Sequence, residues 1–351
     1  MRQPLWVPSE EQLRDANLTR FIGYVNKAFA LDCRSYSDLY KWSVTNASDF
    51  WAAVWDYSGI VSSRRFDKVV DDLARFPGAH WFPGARLNFA ENLLKHSGDK
   101  TALVSRSESH PAKRLTYSQL RHEVARFASG LREMGVRAGD RVAGFMPNIP
   151  ETTIAMLATT TLGGVWACCG AELGPTAVLE RLGQIGPKVL VAADGYIYKG
   201  RRFDILPSVE RVATGISSIK NTIIAPFLGT MPASEAIPNS VLFDELSSTS
   251  SRNIEFAQLP ADHPVYVMFT SGTTGQPKCM VQSAAGILVN HLKELMFHAD
   301  LKKSDVITYI TSPSWMMWTW LMSGLALGVS IVLYEGNPNH PDWGTMWRLV
   351  E

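Results

Sequence analysis

Charge of one sign is missing from this sequence: 34 Lys and Arg stand against 33 Asp and Glu, leaving a net charge of +1. Without a single-sign field, neither nucleic acid nor an anionic membrane surface is expected as a partner. Cysteine is scarce, at four in 351 residues. Cys33, Cys168, Cys169 and Cys279 show no C-x-x-C spacing of the metal-binding kind, so no metal set is read from them. Cys168 and Cys169 are adjacent, which is poor material for a disulfide framework. Repeats and low-complexity tracts are absent as well. The opening M-R-Q-P-L-W-V-P-S-E-E lacks the apolar core of a signal peptide, and a reducing, cytoplasmic setting is expected.

What is present is an ordinary globular composition, 46% hydrophobic and 19% charged, with length enough for a large core and more than one domain. The segment Trp315 to Tyr334 carries no charge over twenty residues, the length of a membrane span. Gly324 and Gly328 interrupt it, Val329 to Tyr334 is β-branched in the manner of a strand, and no Lys/Arg cluster flanks it. The pattern predicts a short apolar helix followed by a buried strand, and no membrane association.

Along the chain, Leu18, Phe21, Ile22, Val25 and Phe29 mark one face of a helix over 15–31, and a second helix is expected from an N-cap at Ser48. Thr116 and Gln119 fit a capping box, followed by the stripe Leu120, Val124, Phe127, Leu131 and Met134 and a closing Gly135. Strands are expected over 141–146, up to Cys168 and over 189–193, with helices over 151–162 and from Pro175 between them. This alternation predicts an α/β fold, mostly parallel sheets flanked by helices. Asp140 and Arg141 read as structural. Residues 211–263 are weakly patterned and predict a long surface connection. A helix over 284–298 should turn Leu288, Leu292, Leu295 and Met296 inward, with His291 and His298 as packing or solvent residues.

The most informative stretch is V-Y-V-M-F-T-S-G-T-T-G-Q-P-K-C-M-V-Q-S, Val265 to Ser283. A buried strand is expected to run to Phe269 and break into Thr270-Ser271-Gly272-Thr273-Thr274-Gly275-Gln276-Pro277-Lys278. Glycines let a backbone turn tightly against a ligand, and successive N–H groups in such a turn make an anion-binding concavity. Hydroxyls add donors and Lys278 adds a point charge suited to phosphate. The order lacks the Gly-Lys pair of GxxxxGK[ST], so it is not the phosphate loop of a P-loop ATPase. A nucleotide polyphosphate is the expected ligand.

T-S-G-T-T-G-x-P-K resembles the signature of the adenylate-forming superfamily, which includes acyl-CoA synthetases, luciferases and peptide-synthetase adenylation domains. Trp-rich patterns such as D-F-W-x-x-V-W-D-Y, with G-A-R-L-N-F-A-E-N-L-L at Gly84 to Leu94, are similar to the N-terminal region of acetyl-CoA and acetoacetyl-CoA synthetases. L-T-Y-x-x-L, G-V-x-x-G-D-R-V and P-N-x-P-E resemble the superfamily's early scaffold motifs. The resemblance implies a helical, Trp-rich cap over residues 1–98 and an incomplete AMP-binding large domain over 99–351, with the small C-terminal domain outside these residues. W-M-M-W-x-W, N-H-L-K-E and I-V-L-Y-E-G-x-P resemble the acetoacetyl-CoA synthetases in particular.

From this resemblance follow the expected ligands and sites. ATP, with Mg²⁺, is expected to place its β- and γ-phosphates on Thr270, Ser271, Gly272, Thr273, Thr274, Gly275 and Lys278. Trp315, Met316, Met317 and Trp318 stand where such enzymes line the acyl pocket, and unbranched methionines between indoles suit a short keto acid. CoA is expected at the turn Gly195 to Arg201, where Arg201 matches the second arginine of a G-V-R-x-G-R-like pattern, Tyr198 replaces the first, and Lys199 stands ready for the 3′-phosphate. The implied reaction is attack of acetoacetate on the α-phosphorus of ATP, then displacement of AMP by the CoA thiolate. The adenylation lysine of the family belongs to the later half, so no catalytic residue is assigned and the isolated chain is expected to be inactive. Acetate or propionate as the acid, or a non-catalytic binding module, remain as alternatives.

Overall fold

The computed structural model describes residues 4–229, 232–247, 254–270 and 275–351. Its centre is a seven-stranded sheet ordered Ser240–Leu242, Asn221–Ala225, Val189–Ala193, Arg141–Met146, Val165–Gly170, Pro264–Phe269, Cys279–Ser283. All pairs are parallel except the last, which is an antiparallel hairpin at one edge. Parallel sheets are covered on both faces, so their strands read as unbroken apolar runs. Here Val142 and Met146 face one core, while Ala143 and Phe145 face the other.

The helices divide between those faces. Pro150–Thr161, which follows the strand Arg141–Met146, packs Ile154, Met156 and Leu157 into the larger core. Pro175–Ile185, which follows Val165–Gly170, packs Val178 and Leu182 into the opposite one, joined by Val209 and Val212 of the helix Leu206–Gly215. Neighbouring strands thus send their connections to opposite sides, and a crevice opens between their carboxyl ends.

A second sheet, ordered Val306–Thr308, Ser330–Glu335, Thr101–Ser107, Lys113–Thr116, contributes Leu103, Ile331 and Leu333 to the larger core. The N-terminal helices join the same core. Phe21 of the helix Asn17–Phe29 stacks on Phe297 at 4.3 Å, and the Asn17 side chain donates to the Leu301 carbonyl at 2.9 Å. Among the described residues, no helix is long and apolar enough to cross a membrane. Trp315 to Tyr334 is instead the helix Met316–Met322, a tight turn and the strand Ser330–Glu335.

Local expectations are met at Thr116, which caps the helix Tyr117–Glu133 with both capping-box bonds in place, and at Gly135, left-handed at φ 81°. Asp140 and Arg141 are structural: Lys188 pairs with Asp140 at 3.0 Å, and the Arg141 guanidinium donates to the Ile185, Gly139 and Gly186 carbonyls. Two expectations are corrected. The helix expected from Ser48 is the fourth in the chain, after Glu10–Asp15, Asn17–Phe29 and Tyr36–Thr45, and begins at Ala47, so Ser48 lies inside its first turn. Residues 211–263 are not a surface connection: Asn221–Ala225 is an interior strand with Ile223 and Ile224 fully buried, and Ser240–Leu242 extends the sheet beyond it. A strand covered on both faces shows no alternation, which hid it.

Asn88, 1% exposed, ties three parts together. Its carbonyl oxygen accepts from the Glu91 N–H at 3.1 Å, and its amide donates to the carbonyls of Thr160, Thr161 and Ala257 at 2.9–3.1 Å. Asn88→Ala removes a helix cap and the amide that bridges three carbonyls, of which Thr160 and Thr161 keep the N–H groups of Gly163 and Ala257, so urea unfolding should show a loss of about 2 kcal/mol. A loss below about 1 kcal/mol would contradict this role.

Candidate functional site

A cleft of 430 Å³ lies at the carboxyl ends of the strands Val165–Gly170 and Pro264–Phe269, lined by Cys168, Glu172, Arg181, Thr270, Trp315 and Met316 among others. Its floor comes from the sheet. Met268 and Phe269 end one strand there, and the chain passes directly into Thr270. The Thr270 N–H donates to the Lys278 carbonyl at 3.0 Å, which continues the Phe269–Cys279 pairing and closes the base of a hairpin loop. Gly275 has φ 152° with open space around it, so conformation and not crowding favours glycine there. Lys278 is exposed at the loop's end. Ser271, Gly272, Thr273 and Thr274 lie outside the described residues.

The opposite wall begins with Ser312, whose hydroxyl donates to Glu172 at 3.3 Å. Glu172 folds back over Gly170, where any Cβ would stand 2.3 Å from its carboxylate. Trp315, 66% exposed, precedes the helix Met316–Met322 without a side-chain capping bond, and Met316 follows into the cleft lining. The four residues expected to line an acid pocket therefore divide. Trp315 and Met316 line the cleft, Met317 is half-buried, and Trp318 is turned into the core at 0% exposure. The Trp318 indole N–H donates to the Asn148 side-chain oxygen at 2.9 Å, because a helix beginning at Met316 carries its third residue round to the buried face.

Behind that wall, the Asn148 backbone N–H donates to Glu335 at 2.6 Å. Burial pushes the Glu335 carboxyl up to about 7, against the pull of the Asn148 N–H and with Glu172 and Glu108 adding to the rise. Burial likewise raises the Cys168 thiol, so Cys168 lines the cleft as a neutral group. His291 is a packing residue, as expected. It meets the Ser323 hydroxyl at 2.8 Å, and burial drives it down to about 4. His298 is exposed.

Lys199 and Arg201 sit apart from this cleft's lining, exposed on the hairpin Gly195–Tyr198 and Arg201–Asp204 that follows the strand Val189–Ala193. Reasoning from sequence overlooked Glu172, Arg181, Asn148 and Glu335. Glu172 carried one usable signal, its place two residues beyond the carboxyl end of a buried strand.

A parallel sheet with helices on both faces and a cleft at the carboxyl ends of two neighbouring strands is an α/β architecture in which ligands bind beyond the strand ends, and sequence comparison gives the class. The "AMP-binding enzyme" family model matches residues 89–351, and an "acetyl-coenzyme A synthetase N-terminus" model matches 36–93. The chain belongs to the AMP-binding enzyme family. It is 40% identical to the acetoacetyl-CoA synthetase of Danio rerio over 99% of this chain and 53% of that protein. Identity to a malonamoyl-CoA synthetase of Penicillium aethiopicum is 37%, over 93% and 47% respectively. The solved acetoacetyl-CoA synthetase from Streptomyces lividans superposes with a TM-score of 0.94 at 39% identity, covering 100% of this chain and 54% of that one. The chain thus spans about half the length of the relatives it matches.

Glu335 and His291 make opposite contributions to pH-dependent stability. Glu335 is raised from 4.5 to about 7, so its contribution is full below about pH 4.5 and is lost as pH rises through 7. His291 is lowered from 6.5 to about 4, so its contribution is full above about pH 6.5 and is lost as pH falls toward 4. Glu335→Gln keeps an acceptor for Asn148 and removes the ionisation. Thermal unfolding should find this variant gaining on the parent at about pH 8, with the gap closing near pH 4.5. An equal difference at both values would contradict the raised carboxyl.

Proposed function

We propose that this chain is the N-terminal part of an acetoacetate–CoA ligase: residues 1–98 as the cap and 99–351 as the incomplete AMP-binding large domain. In this reading acetoacetate attacks the α-phosphorus of ATP, pyrophosphate leaves, and the CoA thiolate displaces AMP from the acyl-adenylate. The observation that carries it is one cleft shared by Thr270, at the base of the nucleotide hairpin, and by Trp315 and Met316 of the acid segment. A carboxylate held against those side chains lies next to the loop that would hold the polyphosphate, which is what bringing two reactants together requires.

Thr270, Ser271, Gly272, Thr273, Thr274, Gly275 and Lys278 would carry the β- and γ-phosphates. Among the described residues no group of three or more His, Cys, Asp or Glu is arranged to hold a metal ion. Mg²⁺ would accompany the triphosphate, where it offsets charge. Trp315 and Met316 would contact the acid directly, Met317 would flank it, and Trp318 would hold the wall in place through Asn148. Lys199 and Arg201 would meet CoA.

The acid is assigned from the named relatives. Acetoacetate and malonamate share a carbonyl two carbons from the carboxylate, and the flexible Met316–Met317 pair suits such a short polar chain. ATP–pyrophosphate exchange by the full-length protein carrying this chain tests the reading. Acetoacetate should be preferred over acetate by at least about tenfold, equivalent to about 1.4 kcal/mol. Met316→Val with Met317→Thr should move preference toward acetate. Equal exchange with both acids, or an unmoved preference in the double variant, would contradict the assignment.

A further inference from the structure

The hairpin carrying Lys199 and Arg201 turns through Lys199 and Gly200, at φ 53° and 71°. Two successive left-handed residues make a tight hairpin turn, which glycine adopts freely and lysine does not. An outside group must hold Lys199 there. Glu108, from the loop after the strand Thr101–Ser107 of the other sheet, is that group. Its side chain is 0% exposed. One carboxylate oxygen accepts from the Lys199 N–H at 3.0 Å and the Asn337 N–H at 2.5 Å, and the other from the Gly200 N–H at 2.6 Å. His340 stands 3.8 Å away. At Gly336 any Cβ would come within 2.4 Å of the Glu108 side chain, so glycine there leaves room for the carboxylate. The Asn337 side chain donates to the Tyr198 hydroxyl at 2.6 Å and braces the turn from its other flank.

We propose that Glu108 is a positioning residue for CoA: its carboxylate fills the anion-binding concavity formed by the turn's own N–H groups and fixes where Lys199 and Arg201 project. The inference rests on reading this turn as the CoA site. Because the turn's N–H groups are committed to Glu108, a phosphate of CoA is left to the exposed ammonium of Lys199 and guanidinium of Arg201.

Glu108→Gln in the full-length enzyme tests it, since a glutamine offers one oxygen and two opposing N–H donors to three N–H groups. The KM for CoA should rise by about tenfold or more, while ATP–pyrophosphate exchange and the KM for ATP stay within about twofold. An unchanged KM for CoA, or equal losses in both half-reactions, overturns the proposal. Lys199→Ala with Arg201→Ala separates the two levels. If that double variant keeps the parental KM for CoA, the reading of the turn itself fails; if it raises the KM while Glu108→Gln does not, only the role of Glu108 fails. Should Glu108→Gln not fold, amide hydrogen exchange of the unmodified protein decides. Protected amides at Lys199, Gly200 and Asn337 support the clamp, and free exchange at these amides overturns it.

Discussion

The opposite winding of two neighbouring connections governs this molecule. The strand Arg141–Met146 hands the chain to a helix on one face of the sheet, and Val165–Gly170 hands it to a helix on the other. Both faces must be covered, because a parallel sheet without its helices would expose apolar rows on either side. The crevice between the diverging connections is the by-product. The cleft lies one strand over, where Glu172 follows the end of Val165–Gly170 and Thr270 the end of Pro264–Phe269, so its geometry inherits the rigidity of the core.

Electrostatics around the crevice has a consistent logic. Glu335 and Glu108 are carboxylates inside or beneath the site region, and both are satisfied by backbone N–H groups. Acids held in this way do not consume the cationic side chains nearby. Arg181 is half-buried in the cleft lining and Lys199 and Arg201 are exposed on their hairpin, where the proposed ligands, a triphosphate, a carboxylate and a phosphorylated thiol, would meet them. The neutral Cys168 and the Trp315–Met316 wall supply the apolar part of the same cleft.

Much of this was legible before any coordinates. Helices with one apolar stripe, such as Tyr117–Glu133, declare themselves through 3.6-residue spacing and a capping box. Strands buried on both faces do not, and so the interior strand Asn221–Ala225 passed for surface. Ser48 had the chemistry of a cap, but the helix begins one residue before it, at Ala47, after an Asn46 whose side chain makes no capping bond. At the site, motif order drew attention to Thr270, Trp315 and Met316, which share the cleft, while the inward turn of Trp318 needed the helix register. Glu108 carried no signal at all. It acts across about ninety residues of sequence on a turn whose backbone strain appears only in three dimensions.

On the proposed function, the cleft at the ends of Val165–Gly170 and Pro264–Phe269 and its hairpin form one site for nucleotide and acid. A crystal structure of the full-length protein with a non-hydrolysable ATP analogue and acetoacetate tests it most directly. The account predicts the terminal phosphates on the loop between Thr270 and Lys278 and the acid against Trp315 and Met316. Nucleotide bound away from that loop, or acid bound outside the cleft, would contradict it.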